Sequence, residues 1–130
     1  MTGLEPAQMV AADGGAPVVG ESARLLASQC PNCGRTEFPA REQCPACGAP
    51  STTAPLPSEG RLCGFTAVLH PPPGTEVPVP YGIGVVEFDG RVRVMGLLTQ
   101  QIDGLDVDQR VGTVTLQPAA DVVTYGFQPL

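Results

Sequence analysis

No lysine and no tryptophan occur in the 130 residues, and histidine occurs once, as His70. The missing lysines weigh most. Seven arginines stand against thirteen Asp and Glu, leaving a formal net charge of -6. That balance opposes a phosphate backbone, where clustered cations supply most of the affinity, and an anionic membrane surface. Stacking platforms for single-stranded nucleic acid are also scarce, with four Phe and two Tyr in the whole chain. No run approaches the roughly 18 continuous apolar residues of a membrane-spanning helix. Residues 1–20 lack the basic segment and compact apolar stretch of a secretory leader. The expectation is a cytoplasmic protein with neither membrane nor nucleic-acid partners.

The lone histidine limits acid–base chemistry in the same way. His70 ends a strand candidate beside Pro71-Pro72-Pro73-Gly74, with Glu76 the nearest carboxylate along the chain. No nucleophile is paired with it in sequence, so it reads as a surface-loop residue. Asp103, Asp106 and Asp108 crowd one segment but lack the twelve-residue spacing and terminal glutamate of a calcium loop. They read as a solvated turn.

What the chain does have is cysteine, and four of its five occur in two near-identical knuckles. Cys30-Pro31-Asn32-Cys33-Gly34 and Cys44-Pro45-Ala46-Cys47-Gly48 are separated by a short arm. Each CxxC turn aims two sulfurs at one centre, and the glycine after it relieves the tight turn. Cys30, Cys33, Cys44 and Cys47 are therefore candidate ligands of one tetrahedral ion, with paired disulfides the competing reading. Zinc suits four thiolates in a closed structural site; all-sulfur iron is the geometric alternative. A fully coordinated ion has no open position for substrate, so it staples the chain and does no Lewis-acid chemistry. Arg35, Phe38 and Arg41 lie on the arm between the knuckles. Phe38 is expected to pack the ribbon, or to meet a partner with the two arginines. The fifth cysteine, Cys63, falls inside a strand candidate and reads as buried packing.

The composition changes along the chain. Residues 1–20 are rich in glycine and proline and read as a flexible arm. Residues 21–49 form the metal module, entered through a segment that suits either a helical turn or a short strand. Residues 50–60 hold Pro50, Pro55 and Pro57 and read as an extended linker. From 61 to 130, five apolar runs alternate with turns: 62–69, 81–88, 91–98, 111–116 and 122–127. Asp89-Gly90 marks a tight hairpin between the second and third. Glycines inside the runs (Gly64, Gly82, Gly84, Gly96) suit a bulged or strongly coiled sheet. The fold class is thus mainly β, a small metal ribbon followed by a five-stranded barrel of the oligonucleotide/oligosaccharide-binding (OB) type. Between the first two strands, the segment from Pro71 to Pro80 holds five prolines. Such a stiff segment loses little entropy on docking, so Pro71, Pro72, Pro73 and Tyr81 are candidate partner contacts.

The linked order of these motifs resembles the DUF35 family. The likeness rests on both knuckles, Phe38-Pro39-Ala40-Arg41, Gly60-Arg61 and Phe65-Thr66-Ala67-Val68. It continues through the Pro71–Gly74 loop, Pro80-Tyr81-Gly82-Ile83-Gly84-Val85-Val86, Arg91-Val92-Arg93-Val94-Met95-Gly96 and Phe127-Gln128-Pro129. The resemblance implies a rubredoxin-like zinc ribbon joined to an OB-fold, with one structural zinc on the four knuckle cysteines. It implies no enzyme but an accessory subunit of a hetero-oligomer with a thiolase-like or ketosynthase-like protein acting on acyl-CoA or related thioesters. An alternative within the family is a module that binds acyl-CoA or acyl-carrier and delivers it to a partner aldolase, acyltransferase or hydratase. One departure stands out: family members often begin with helices, whereas residues 1–20 are too rich in glycine and proline for a helical hairpin.

Overall fold

Short apolar alternations separated by turns fold into nine strands, with no helix among the described residues. The structure is a computed structural model that describes residues 9–11, 18–70, 73, 78–119 and 122–130. Four strands build a front sheet: β1 (Met9–Ala11), β2 (Ala23–Gln29), β3 (Thr36–Glu37) and β4 (Thr52–Pro55). Strand β2 pairs antiparallel with each of the other three. Its period-two pattern explains that central place, since Ala23, Leu25 and Ala27 are all fully buried. The segment left open between helical turn and strand in the sequence is therefore a strand.

Two expectations about chain organisation change here. Residues 9–11, expected within a flexible arm, form β1, whose register Met9↔Leu25 carries Met9 into the core at 1% exposure. Three apolar residues suffice when a central strand offers a free edge. Thr52–Pro55, expected within a linker, is β4, and Leu56 after it is buried. The Leu56 amide donates to the Leu25 carbonyl at 2.8 Å. Proline density suggested a linker, yet proline is compatible with an edge strand because its missing N–H can face outward.

The remaining five strands are β5 (Glu59–Val68), β6 (Tyr81–Phe88), β7 (Val92–Leu98), β8 (Arg110–Ala119) and β9 (Val122–Pro129). They close in the order β5-β6-β7-β9-β8, the five-stranded barrel expected from the sequence. Every pairing is antiparallel except β7 with β9, a short parallel seam of Leu97↔Gly126 and Leu98↔Phe127. The register of β5 against β6 slips between Leu62 and Gly64, so Cys63 is the extra residue of a bulge. Cys63 is half-buried rather than packed inside, with its thiol 3.6 Å from the Arg61 carbonyl. On β7, Val94 is buried while Arg93 and Met95 face out, as alternation predicts.

Ribbon and barrel share one apolar core. Met9, Leu25 and Leu56 belong to the same cluster as Leu62, Val86, Phe88 and Phe127. Fully burying one such large side chain contributes about 1.5–3 kcal/mol. The backbone joins them too. Where β5 leaves β8 at Glu59↔Gly112, residues 20–22 take over its edge. The Gly20 amide donates to the Thr115 carbonyl at 2.7 Å, and the Thr115 amide donates to the Glu21 carbonyl at 3.0 Å. Tyr125 packs so closely over Gly96 that a Cβ there would lie 2.5 Å from the ring. Tyr125 also meets Phe38 of the ribbon in a T-shaped contact, ring centroids 5.8 Å apart.

Thr113 and Thr115, the cross-strand partners of Phe127 and Tyr125, are buried with hydroxyls that make no hydrogen bond. A buried hydroxyl without a partner costs more than an isosteric methyl. Thr115→Val is therefore expected to stabilise the protein by about 1 kcal/mol, read as a higher urea midpoint at unchanged slope. A lower midpoint would show that this hydroxyl is satisfied in solution.

Candidate metal centre and exposed surfaces

The two knuckles repeat one backbone design. In the first, the Gly34 amide donates to the Cys30 carbonyl at 2.8 Å and the Cys30 amide to the Arg35 carbonyl at 2.9 Å. In the second, Gly48 donates to Cys44 and Cys44 to Ala49, both at 2.8 Å. Gly34 and Gly48 have φ of 79° and 77° with open space around them, so conformation, not crowding, requires glycine at both positions. Strand β2 delivers Cys30, and the Gln43–Pro50 bridge closes the base of the second knuckle.

The four sulfurs lie within 4.8 Å of one another. Cys30 Sγ is 3.5 Å from Cys47 Sγ, and Cys33 Sγ is 3.6 Å from Cys44 Sγ. A tetrahedral zinc with Zn–S of about 2.3 Å needs sulfurs about 3.8 Å apart. The cluster fits that ion, and none of its cysteines is in a disulfide. Cys30 and Cys44 are buried while Cys33 and Cys47 face solvent. Backbone amides converge on the sulfurs, as thiolate ligands require. The Ala49 amide, then the Asn32 side chain and Cys30, hold the Cys47 thiol down to about 6. The Cys47 and Ala46 amides lower Cys44. At Cys33 the Arg35 amide pulls downward, but hydrogen bonds with Cys44 and Cys30 together with desolvation outweigh it, and the thiol is pushed up to about 11. Sequence reading assigned no role to Asn32, whose amide nitrogen lies 3.6 Å from Cys47 Sγ. The signal was present, since position 32 is Asn where the second knuckle has Ala46.

The other candidate residues scatter. Phe38 turns inward onto Tyr125, so its ring is engaged within the chain. Arg35 pairs with Glu37. Arg41 is exposed, its amide donating to the buried Ser28 hydroxyl at 3.0 Å. Pro71 and Pro72 lie outside the described residues; Pro73 is exposed. Tyr81 is half-buried in an open groove of about 440 Å³ lined by Pro78, Val79, Pro80, Leu98 and Gln101. The Gln101 side chain donates to the Pro80 carbonyl at 2.8 Å and braces that rim. His70 is exposed.

Acidic groups claim most of the arginines. Arg61 bridges Glu87 and Asp108, Arg93 shares Glu87, and Arg110 pairs with Glu59. Arg24 donates to the Leu56 and Pro55 carbonyls. Among the described residues this leaves no basic stripe for a phosphate backbone. The guanidinium of Arg61, aided by Arg93, holds the Glu87 carboxyl below its usual range against desolvation. No helix among the described residues is long and apolar enough to cross a membrane.

Residues 53–124 match the family model described as ChsH2, C-terminal OB-fold domain, and residues 20–53 match ChsH2, rubredoxin-like zinc ribbon domain. The two matches meet at residue 53, inside β4. The chain is 27% identical to a DUF35 domain-containing scaffold protein of Methanocaldococcus jannaschii, covering 80% of this chain and 79% of the relative. It is also 27% identical to one of Pyrococcus furiosus, covering 83% of each. Among solved structures, it is similar to a chain of an Ltp2-ChsH2(DUF35) aldolase, with TM-score 0.68, 23% identity, and 82% and 84% of the two chains covered. A DUF35 protein of unknown function from Sulfolobus solfataricus gives TM-score 0.52 at 17% identity, covering 79% and 75%. The last two show the fold.

Metal removal should be visible in the thiols. With zinc bound, a thiol reagent is expected to find one fast-reacting cysteine, Cys63, and after chelation all five. A count unaltered by the chelator would argue against the metal centre. The Glu87 shift predicts a second outcome. A depressed carboxylate contributes stability above its ordinary value of 4.5, and that contribution is lost as pH falls through the lower folded value. Glu87→Gln should therefore be less stable than the parent at pH 6, the gap closing toward pH 3 in paired urea titrations. A gap constant with pH would remove the Arg61–Glu87 pair as its cause.

Proposed function

This chain belongs to the DUF35 family, joining a ChsH2-type zinc ribbon to a ChsH2-type OB-fold, and from that we propose that it is a non-catalytic accessory subunit. It binds and supports a thiolase-superfamily enzyme acting on acyl-CoA or related acyl thioesters, in a hetero-oligomer and in the cytoplasm. The observation that carries this reading is likeness over four-fifths of the chain to proteins described as DUF35 domain-containing scaffolds. An Ltp2-ChsH2(DUF35) aldolase with the same fold supports a partner of that kind.

Physically, the reading asks for a rigid body presenting a shaped surface. A closed barrel and a metal-stapled ribbon on one core meet that need, because little is left to order on docking. Cys30, Cys33, Cys44 and Cys47 would hold the zinc, whose role is to fix the ribbon. Docking is assigned to the groove beside Tyr81, where Val79 is 38% exposed, with Pro71, Pro72 and Pro73 as the further candidate contacts along the sequence. Arg35 and Arg41 offer polar contacts from the ribbon side.

Co-expression with a thiolase-superfamily enzyme from the same genome should yield a co-purifying complex, and the chain alone should turn over no thioester. Val79→Glu is expected to weaken the complex at least tenfold, about 1.4 kcal/mol, at unchanged thermal stability. Unchanged affinity would move the contact elsewhere; no complex, with full activity from the partner alone, would end the accessory reading. Calorimetry with acyl-CoA separates the alternative, since tight binding by the isolated chain would make it a delivery module.

A further inference from the structure

The two knuckles match in backbone and differ at two side-chain positions, one inside the turn and one just after it, where Arg35 stands against Ala49. Asn32 and Ala46 occupy the same place in the repeated Cys-Pro-X-Cys-Gly turn. Asn32 reaches across the cluster and donates through Nδ2 to Cys47 Sγ at 3.6 Å. Ala46 has no donor to return to Cys33. Each of these two thiols is the second cysteine of its turn and is exposed while the first is buried, and the Arg35 guanidinium near Cys33 is paired with Glu37.

We propose that Asn32 is a positioning residue for the metal, holding Cys47 in place, and that Cys33, which lacks the reciprocal donor, is the corner at which the site opens. A thiolate that accepts a fixed N–H is oriented and partly neutralised, so it gains less from leaving the ion for solvent or a proton. Outer-shell partners of metal ligands are commonly worth 10–100-fold in affinity. The donor on one knuckle makes the second knuckle's exposed ligand the firmer one. The site is then inequivalent at its two solvent-facing corners despite its internal repeat, and zinc exchange with a chelator or acceptor thiol begins at Cys33.

The test uses the full chain loaded with zinc, its content verified by elemental analysis. Release to a chromogenic chelator is followed for the parent, Asn32→Ala and Ala46→Asn. Asn32→Ala should release zinc roughly tenfold faster and Ala46→Asn more slowly than the parent. A short alkylating pulse during release, read by peptide mass, should mark Cys33 before Cys47 in the parent and both together in Asn32→Ala. Cobalt-loaded Asn32→Ala should show a shifted sulfur-to-metal charge-transfer band while the far-ultraviolet circular dichroism matches the parent, which separates positioning from unfolding. Equal release rates for the parent and Asn32→Ala, or Cys47 labelled first or equally in the parent, would overturn the proposal.

Discussion

Four sulfurs within 4.8 Å cannot all carry charge without a cation among them. Much of the front sheet follows from that constraint. Bringing Cys30 and Cys33 to Cys44 and Cys47 folds the arm between the knuckles back on itself. That turn sets β3 against the end of β2 and leaves Thr52 entering β4 along the same strand. A sheet of such short strands has little apolar area of its own, and small modules commonly depend on a metal for this reason. Here the ribbon has a second source of stability, because β2 buries Ala23, Leu25 and Ala27 in a core continuous with the barrel.

The barrel and the ribbon are therefore one piece. Residues 20–22 continue the edge of β8 beyond β5, and Phe38 meets Tyr125 over Gly96. The family models divide at residue 53, in mid-strand, so units of sequence similarity and units of packing do not coincide. For a protein whose proposed work is to hold another, this continuity matters. Force or strain applied at the groove beside Tyr81 is borne by the same packed side chains that seat the ribbon.

The metal ligands were legible because their chemistry is local: two CxxCG turns declare themselves without knowledge of the fold. The barrel strands were legible by alternation, and Tyr81–Phe88 coincides with its expected limits. Strands β1 and β4 were not, because three residues of Met-Val-Ala or four of Thr-Thr-Ala-Pro become strands only when β2 offers an edge. Cys63 was misplaced for a related reason: alternation assumes an unbroken register, and the bulge breaks it at that residue. Nor could the pairing of Arg61 with both Glu87 and Asp108 be foreseen, since it depends on where the closing strands bring distant carboxylates.

The parallel seam between β7 and β9 holds two registered pairs, plus the Thr99 amide on the Phe127 carbonyl at 3.0 Å. Its neighbours β6–β7 and β8–β9 run to six and seven pairs. The seam is the shortest ladder of the barrel, followed by the three pairs between β5 and β8. Phe127 stands opposite Thr113, one of the two hydroxyls enclosed in the wall. Parting of the wall at that seam would bring water to the Thr113 hydroxyl, the group inside it with most to gain from a partner.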